Sequence, residues 1–162
     1  MKLNMNKEEL RKFLLHAPQS SIIKYVENIH PVDVLDVLHE NVDDRKDILN
    51  RLPEKFIADI LDEAEIDEKY EILMEFSENK QKNIIEEMSS DELTDLLGIL
   101  DENKANKILA KMTDEDARVV RQLLSYAPDT AAGIMATEFI SLKTDMTVCE
   151  TLKYLQKYGQ EN

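Results

Sequence analysis

The side chains of this chain that are best suited to chemistry are carboxylates. The sequence has 34 acidic residues against 20 basic ones, which gives a net charge of -14. Such carboxylates suit divalent cations or a basic protein surface, although a strongly charged surface also serves simply to prevent aggregation. The same charge repels phosphate backbones and anionic lipids, so we expect no nucleic-acid partner.

Two spacings indicate which carboxylates share a surface. Asp91 and Asp95 are four residues apart, so on a helix they lie on one face with about 6 Å between their β-carbons. Asp59 and Asp95 occupy the same seventh place in two copies of a twelve-residue repeat, so we expect them on comparable faces. Asp91 also fits a simpler role, because the helix dipole favours acids in a first turn. The surface is therefore either functional or merely solvated.

The sequence offers few residues for other kinds of site, such as zinc sites, disulfides or catalytic centres. His16, His30 and His39 are not at metal-ligand spacing, and the single Cys149 cannot form an internal disulfide or a zinc site. No Gly-rich phosphate loop and no nucleophile paired with a base is present, so we predict that the chain is not an enzyme. The N-terminus does not resemble a secretory signal, and no segment has the roughly twenty apolar residues that span a bilayer. We expect no direct membrane insertion.

The twelve-residue repeat runs through seven consecutive units, from Asn41 to Leu124. The eighth residue of every unit is aliphatic: Ile48, Ile60, Ile72, Ile84, Leu96, Ile108 and Val120. The ninth is also aliphatic in six units, Arg121 being the exception, and residues eight, nine and twelve share one helical face. Each unit therefore predicts a short amphipathic helix. Helices this short are marginal alone, so we expect them to stack as antiparallel pairs in a superhelix.

The segments on either side of the repeat predict other elements. Asn6 to Leu15 and the segment that starts at Pro31 are typical of helices. Val119 to Ile134 predicts a longer helix that is interrupted at Pro128. A β-prone segment follows at 139–142, and after it comes a capped helix that carries Val148 and Leu152. A lone strand has no partner for its backbone hydrogen bonds, so this strand and helix resemble the first piece of a larger α/β module. Within the repeat, Ser77, Ser89, Asp101 and Thr113 are predicted N-caps.

Several motifs resemble the N-terminal cytosolic region of MgtE-type magnesium transporters and channels. They are "HPVDVLDVL", the "LP" at Leu52-Pro53, the repeated short helices and "YAPDTAAGIMATEFISLKTDMTVCETLKYL". The resemblance runs from about His30 to Leu155. That family typically has AGG, then Leu or Ile, then Met-Thr at the junction, where this chain has Ala132 for the first glycine and Ala136 for the threonine. The resemblance implies an intracellular N domain at 1–134 and the beginning of an incomplete CBS domain at 135–162.

The resemblance also implies a fold and a function. The expected fold class is all-α, a right-handed, armadillo-like superhelix of short antiparallel helices with a C-terminal strand-helix fragment of a CBS domain. The implied function is regulation: the domain senses intracellular Mg2+ and gates the pore through ion-bridged closure onto the CBS domain. By position along the motif, the ion-bridging acids correspond to Asp59, Asp91 and Asp95. Mg2+ binding by this segment alone would be weak, because its sites would be incomplete.

The partners that the resemblance implies are the protein's own CBS and transmembrane pore domains and a second copy in a homodimer, on the cytoplasmic side of the cell membrane. Two other functions stay open. The short-helix superhelix is similar to the middle region of flagellar rotor-switch proteins of the FliG type, which are interaction scaffolds without ion sensing. A helical-repeat adaptor that binds a basic protein is the other. Met5, Met74, Met88 and Met112 are predicted core fillers, with a soft partner groove as the alternative.

Overall fold

The structure is a computed structural model that describes residues 5–127, 129–133, 135 and 140–158. Within these ranges the chain forms α-helices and short 3-10 turns and no strand, which confirms the all-α prediction. The helices are α1 Lys7–His16, α2 Gln19–Tyr25, α3 Pro31–Glu40, α4 Arg45–Arg51, α5 Glu54–Glu63, α6 Ile66–Met74, α7 Glu78–Glu87, α8 Ser90–Ile99, α9 Glu102–Leu109, α10 Asp114–Leu124 and α11 Val148–Tyr158.

Each unit of the twelve-residue repeat forms one helix, in order from α4 to α10. All seven eighth-position residues are buried, and so are the ninth-position residues from Leu49 to Leu109. Arg121, the charged exception at the ninth position, is exposed. The predicted apolar face of the repeat is therefore confirmed, and it forms one continuous core with the buried residues of α1 and α3.

The helix starts agree with the sequence in position and partly in hydrogen bonding. Asn6 begins α1 with a reciprocal capping box. The side chains of Asp101 and Thr113 accept hydrogen bonds from the backbone amide three residues further on, at 3.0 and 3.2 Å. Ser77 and Ser89 hold the N-cap positions of α7 and α8 without a side-chain cap bond. The backbone adopts the predicted start at all four repeat positions, and two of these side chains cap it.

Alternate helices pack in rows. In one row α3 packs between α1 and α5, and α5 packs against α7. In the other row α8 packs between α6 and α10. Contacts are thus mostly made between units that are close in sequence, as in other helical repeat arrays.

A half-buried cation links α7 to the end of α4. The ammonium group of Lys80 on α7 donates to the backbone carbonyl oxygens of Leu49, Asn50 and Leu52, each at 3.3 Å. These carbonyls lie at the C-terminal end of α4, where no helical partner is available and the helix dipole favours positive charge. Burial lowers the pKa of Lys80.

The end of the repeat differs from the sequence prediction. α10 ends at Leu124, and residues 129–133 form turns instead of a continued helix. Pro128, where the predicted interruption falls, lies outside the described residues. The longer helix predicted through Ile134 is therefore wrong for the described residues that follow Leu124.

The C-terminal strand-helix prediction is met only in its helix. α11 forms, and the Thr147 hydroxyl accepts a hydrogen bond from the Glu150 amide at 3.3 Å. Residues 140–142 form no strand, and Phe139 lies outside the described residues. A single strand has no neighbour to share its backbone hydrogen bonds, which is the physical reason for its absence at 140–142. Val148 and Leu152 on the apolar face of α11 are exposed.

Candidate functional site

The three acids that the sequence singled out lie on α5 and α8. Asp59 is half-buried within α5, Asp91 is half-buried in the first turn of α8, and Asp95 is exposed one turn later. Asp59 and Asp95 each precede a fully buried eighth-position residue, Ile60 and Leu96. The packing of the repeat therefore holds both acids beside the apolar face of their helices.

Five carboxylates form what we call the acidic cluster. Its members are Asp59 and Asp62 on α5, Glu87 on α7, and Asp91 and Glu92 on α8. Burial raises the pKa of Asp59 above its ordinary value, and the charge of Glu87 raises it further. Partial burial, and then the charges of Glu92, Asp59 and Asp91, raise the pKa of Asp62 to about 6. These mutual effects place carboxylates of three helices close enough to repel one another.

A lysine lies inside the acidic cluster. The side chain of Lys69, on α6, is only 7% exposed, and its ammonium group forms an ion pair with the carboxylate of Glu92. The same ammonium group lies 3.4 Å from the backbone carbonyl oxygen of Asp62, near the C-terminal end of α5. Lys69 therefore neutralises part of the cluster's charge and joins three helices.

The donor chemistry of the acidic cluster fits a divalent cation. One carboxylate oxygen of Asp91 is buried and has no hydrogen-bond partner among the described residues. A buried carboxylate oxygen without a partner is costly, so this position favours a positively charged ligand. Oxygen ligands of this kind are the ones that Mg2+ prefers. In the described part of the chain, however, no three His, Cys, Asp or Glu side chains converge to hold a metal ion by themselves. The acidic cluster therefore does not form a complete metal site within the described residues.

The three predicted acids differ in whether they belong to the acidic cluster. Asp59 and Asp91 share Asp62 as a charged neighbour, whereas the interactions that shift Asp59 and Asp62 do not include Asp95. Sequence reasoning missed Asp62, Glu87 and Glu92 of the acidic cluster, and it missed Lys69. The acidic cluster therefore draws on α5, α7 and α8, and Asp95, one turn after Asp91 on α8, is not among the charges that shift Asp59 or Asp62.

The Asp62→Asn variant is expected to be more stable than the wild type above pH 6, by at most about 1 kcal/mol. The pKa of Asp62 is about 6 in the folded chain, above its ordinary value of 3.8, so the fold disfavours the ionised form. The wild type therefore loses stability as the pH rises from about 4 to 6, and the variant lacks this loss. The effect is small because Asp62 is more than a third exposed and solvent screens its charge. Urea unfolding followed by circular dichroism at pH 4, 5, 6 and 7 measures it.

Glu63→Gln is the matched control for Asp62→Asn. Glu63 is exposed on the same helix and is not among the charges that shift Asp62. We expect its stability to follow the wild-type pH dependence. If both variants change the pH dependence equally, net charge and not the acidic cluster is responsible.

The fold and the surface together define a class of protein. The described residues form a helical repeat that presents carboxylates from neighbouring units, with one lysine buried among them. Repeat arrays of this kind are typically binding or regulatory modules, because they offer extended surfaces instead of enclosed reaction sites. The carboxylate-rich surface has the charge that a cationic partner or ligand would require, and it also serves to keep the chain from aggregating.

The chain belongs to the MgtE intracellular N domain family, because the sequence model of that family matches residues 29–129. A crystal structure of the soluble part of a magnesium transporter is similar, with a TM-score of 0.77 and 27% identity over 96% of this chain and 63% of that chain. A crystal structure of the cytosolic domain of the Mg2+ channel MgtE in complex with ATP is also similar, with a TM-score of 0.72 and 26% identity over 96% of this chain and 60% of that one. These findings confirm the resemblance.

Two further results complete these comparisons. No curated protein sequence matches the chain. None of the helices in the described ranges is long and apolar enough to cross a membrane.

Proposed function

We propose that this chain is a cytosolic regulatory module of a magnesium transporter or channel, located on the cytoplasmic side of the membrane, which senses Mg2+ and controls the pore. The observation that carries the proposal is the buried, unpartnered carboxylate oxygen of Asp91 within the acidic cluster of an MgtE intracellular N domain. The matched structures, which are parts of a magnesium transporter and of an Mg2+ channel, support it.

The proposed role of Asp59, Asp91 and Asp95 is to form one half of an interface. When this face approaches a second acidic face of the same protein, the carboxylates repel, and a divalent cation between them supplies the compensating charge. Closure of the interface is then linked to the cation concentration, because only the closed state offers both sets of ligands. Few protein ligands per ion make such binding weak and reversible, as a sensor requires.

The remaining parts of the proposal concern the whole protein. The helices form a right-handed, armadillo-like superhelix over residues 1–134, and residues 135–162 begin a CBS domain. The second acidic face then belongs to the protein's own CBS domains, which connect to its transmembrane pore in a homodimer. The stacked rows of α1 to α10 support the superhelix, and the extent of the matched structures supports the longer protein.

The test is limited proteolysis of the intact protein that contains this segment, with and without millimolar Mg2+. We expect Mg2+ to slow cleavage near residues 125–142 several-fold, because closure orders the junction after α10. The variants Asp59→Asn, Asp91→Asn and Asp95→Asn remove one charge each with little change in shape, and each is expected to weaken the protection.

Asp67→Asn is the control for this experiment. Asp67 is an exposed acid on α6 and is not a member of the acidic cluster, so protection in this variant is expected to match the wild type. Identical cleavage in all proteins with and without Mg2+ would favour the interaction scaffold of the FliG type. Loss of protection in every acidic variant, Asp67→Asn included, would assign the effect to net charge.

A further inference from the structure

The row formed by α1, α3, α5 and α7 does not continue to α9 with the same close packing. α5 packs closely against α7, whereas α9 makes no comparable packing with α7 and packs instead against its sequence neighbour α8. Between α7, α9 and the end of α6 lies an open groove of about 680 Å3. Its position is where the regular stacking of the repeat would place helix against helix.

The uncharged side chains of the groove are mostly apolar. Tyr70 and Met74 on α6, Ile108 on α9 and Met112 after α9 form an apolar floor, and Asn79 and Gln81 on α7 add polar groups. Ile108 is fully buried, while the other three residues of the floor are half-buried. Methionine side chains are flexible and polarisable, so they adapt to an incoming apolar surface. The prediction that Met74 and Met112 are core fillers is therefore incomplete, since both pack against the core and also line this groove.

The rim of the groove is basic in a strongly acidic chain. Four lysines line it, Lys82, Lys104, Lys107 and Lys111, against the single acid Glu78. The Lys104 ammonium group lies 5.0 Å from the centre of the Tyr70 ring. The Lys111 ammonium group lies 3.9 Å from the carboxylate of Glu78, which is 92% exposed. Glu86 and Asp101 also border the rim, at 3.7 Å from the Lys82 ammonium group and 3.6 Å from that of Lys104. With Glu78, the groove therefore carries a local charge of about +1 (four minus three) in a chain of -14.

We propose that this groove binds an acidic amphipathic helix of a partner polypeptide. The apolar face of that helix packs on Tyr70, Met74 and Met112, and its carboxylates pair with the lysines of the rim. Three of the lysines have acidic partners in the chain, Glu86, Asp101 and Glu78, but the acid of each pair is exposed, so these pairs are weak enough to be exchanged. The two features select for one occupant, because an apolar helix offers no carboxylates to the rim and a small anion leaves the apolar floor uncovered. The rest of the acidic surface repels the same helix, so complementary charge steers it to the groove and specifies its orientation.

The experiment measures fluorescence anisotropy of a labelled synthetic helical peptide, with leucines on one face and glutamates on the other, mixed with the chain in EDTA. EDTA removes divalent cations, so the result is independent of the magnesium proposal. We expect binding that weakens as salt is raised, because the contacts at the rim are screened. The double variant Lys104→Glu, Lys107→Glu is expected to bind at least about tenfold more weakly, because it turns two attractive charges into repulsive ones.

The controls separate the groove from the chain's charge in general. Lys12→Glu, Lys46→Glu changes the net charge equally at exposed lysines of α1 and α4 and is expected to bind like the wild type. A peptide of the same composition in scrambled order, without an apolar face, is expected not to bind. Met112→Gln, which leaves every charge in place, is expected to weaken binding several-fold.

Three outcomes would overturn the proposal. The first is an absence of binding to the wild type, and the second is equal binding of the ordered and scrambled peptides. The third is concentration-dependent self-association in sedimentation that Lys104→Glu, Lys107→Glu abolishes while the peptide fails to bind, which would make a second copy of the chain the occupant. Circular dichroism of each variant verifies that the helices are retained.

Discussion

The Ile84→Ala variant is expected to unfold with a free energy about 3 to 4 kcal/mol lower than that of the wild type. Ile84 is the eighth residue of its unit, is fully buried on α7 and belongs to the continuous core. Truncation removes three buried carbons and leaves a cavity that the neighbouring helices fill only in part. The loss is expected to spread along the row, since α7 stabilises α5 by direct packing. Urea unfolding at pH 7 measures the effect.

Ile99→Ala is the matched control, because it is the same substitution on the next helix. Ile99 is 48% exposed near the end of α8. Its truncation is expected to change the free energy of unfolding by about 0.5 kcal/mol or less. Similar losses at Ile84 and Ile99 would contradict the assignment of the eighth position as the buried face of the repeat.

The fold from α4 to α10 was predictable because its determinant is local and repeated. Residues eight, nine and twelve of a unit fall on one face of a helix whatever its neighbours do, and proline at Pro53 marks a helix start. The end of α10 was not predictable in this way. The Ser125 hydroxyl donates to the Gln122 carbonyl oxygen at 2.6 Å, and the Tyr126 amide donates to the Leu123 carbonyl oxygen at 3.0 Å. These short-range bonds compete with continued helix, although the sequence up to Ala127 is compatible with it.

Of the acidic cluster, the sequence singled out only Asp59 and Asp91. Counting within the repeat predicts comparable faces for Asp59 and Asp95, but the neighbours of each acid depend on which helices stack. Lys69 leaves only a weak signal in the sequence: it is the fifth residue of its unit, a place that holds the buried Ile57 and Leu93 in two other units but also Arg45 and Gln81. A charged residue at this place is therefore not enough to predict a buried ion pair. The partner of Lys69, Glu92, is 23 residues away in sequence, so only the tertiary structure identifies it.

Loss of Lys69 is expected to be the most damaging single change of a charged residue in the acidic cluster. The Lys69→Met variant keeps the length and apolar stem of the side chain but removes the ammonium group that pairs with Glu92. We expect the free energy of unfolding to fall by about 3 kcal/mol, because a poorly exposed carboxylate is left beside other carboxylates without a counter-charge. Urea unfolding at pH 7 measures the loss, and addition of Mg2+ is expected to recover part of it, since a divalent cation replaces the missing charge.

Two further variants identify the origin of that loss. Lys82→Met breaks an exposed pair with Glu86, whose atoms are 3.7 Å apart, and is expected to cost about 0.5 kcal/mol or less. The double variant Lys69→Met, Glu92→Gln removes both charges of the buried pair, so it is expected to be more stable than Lys69→Met alone. If the double variant loses the sum of the two single effects, the Lys69 ammonium group stabilises the chain through its contact with the Asp62 carbonyl oxygen and not through its pair with Glu92. A gain from Glu92→Gln that appears only in the Lys69→Met background would instead establish that the lysine is the internal counter-ion of the acidic cluster, and that this face requires a cation, either its own or a bound one.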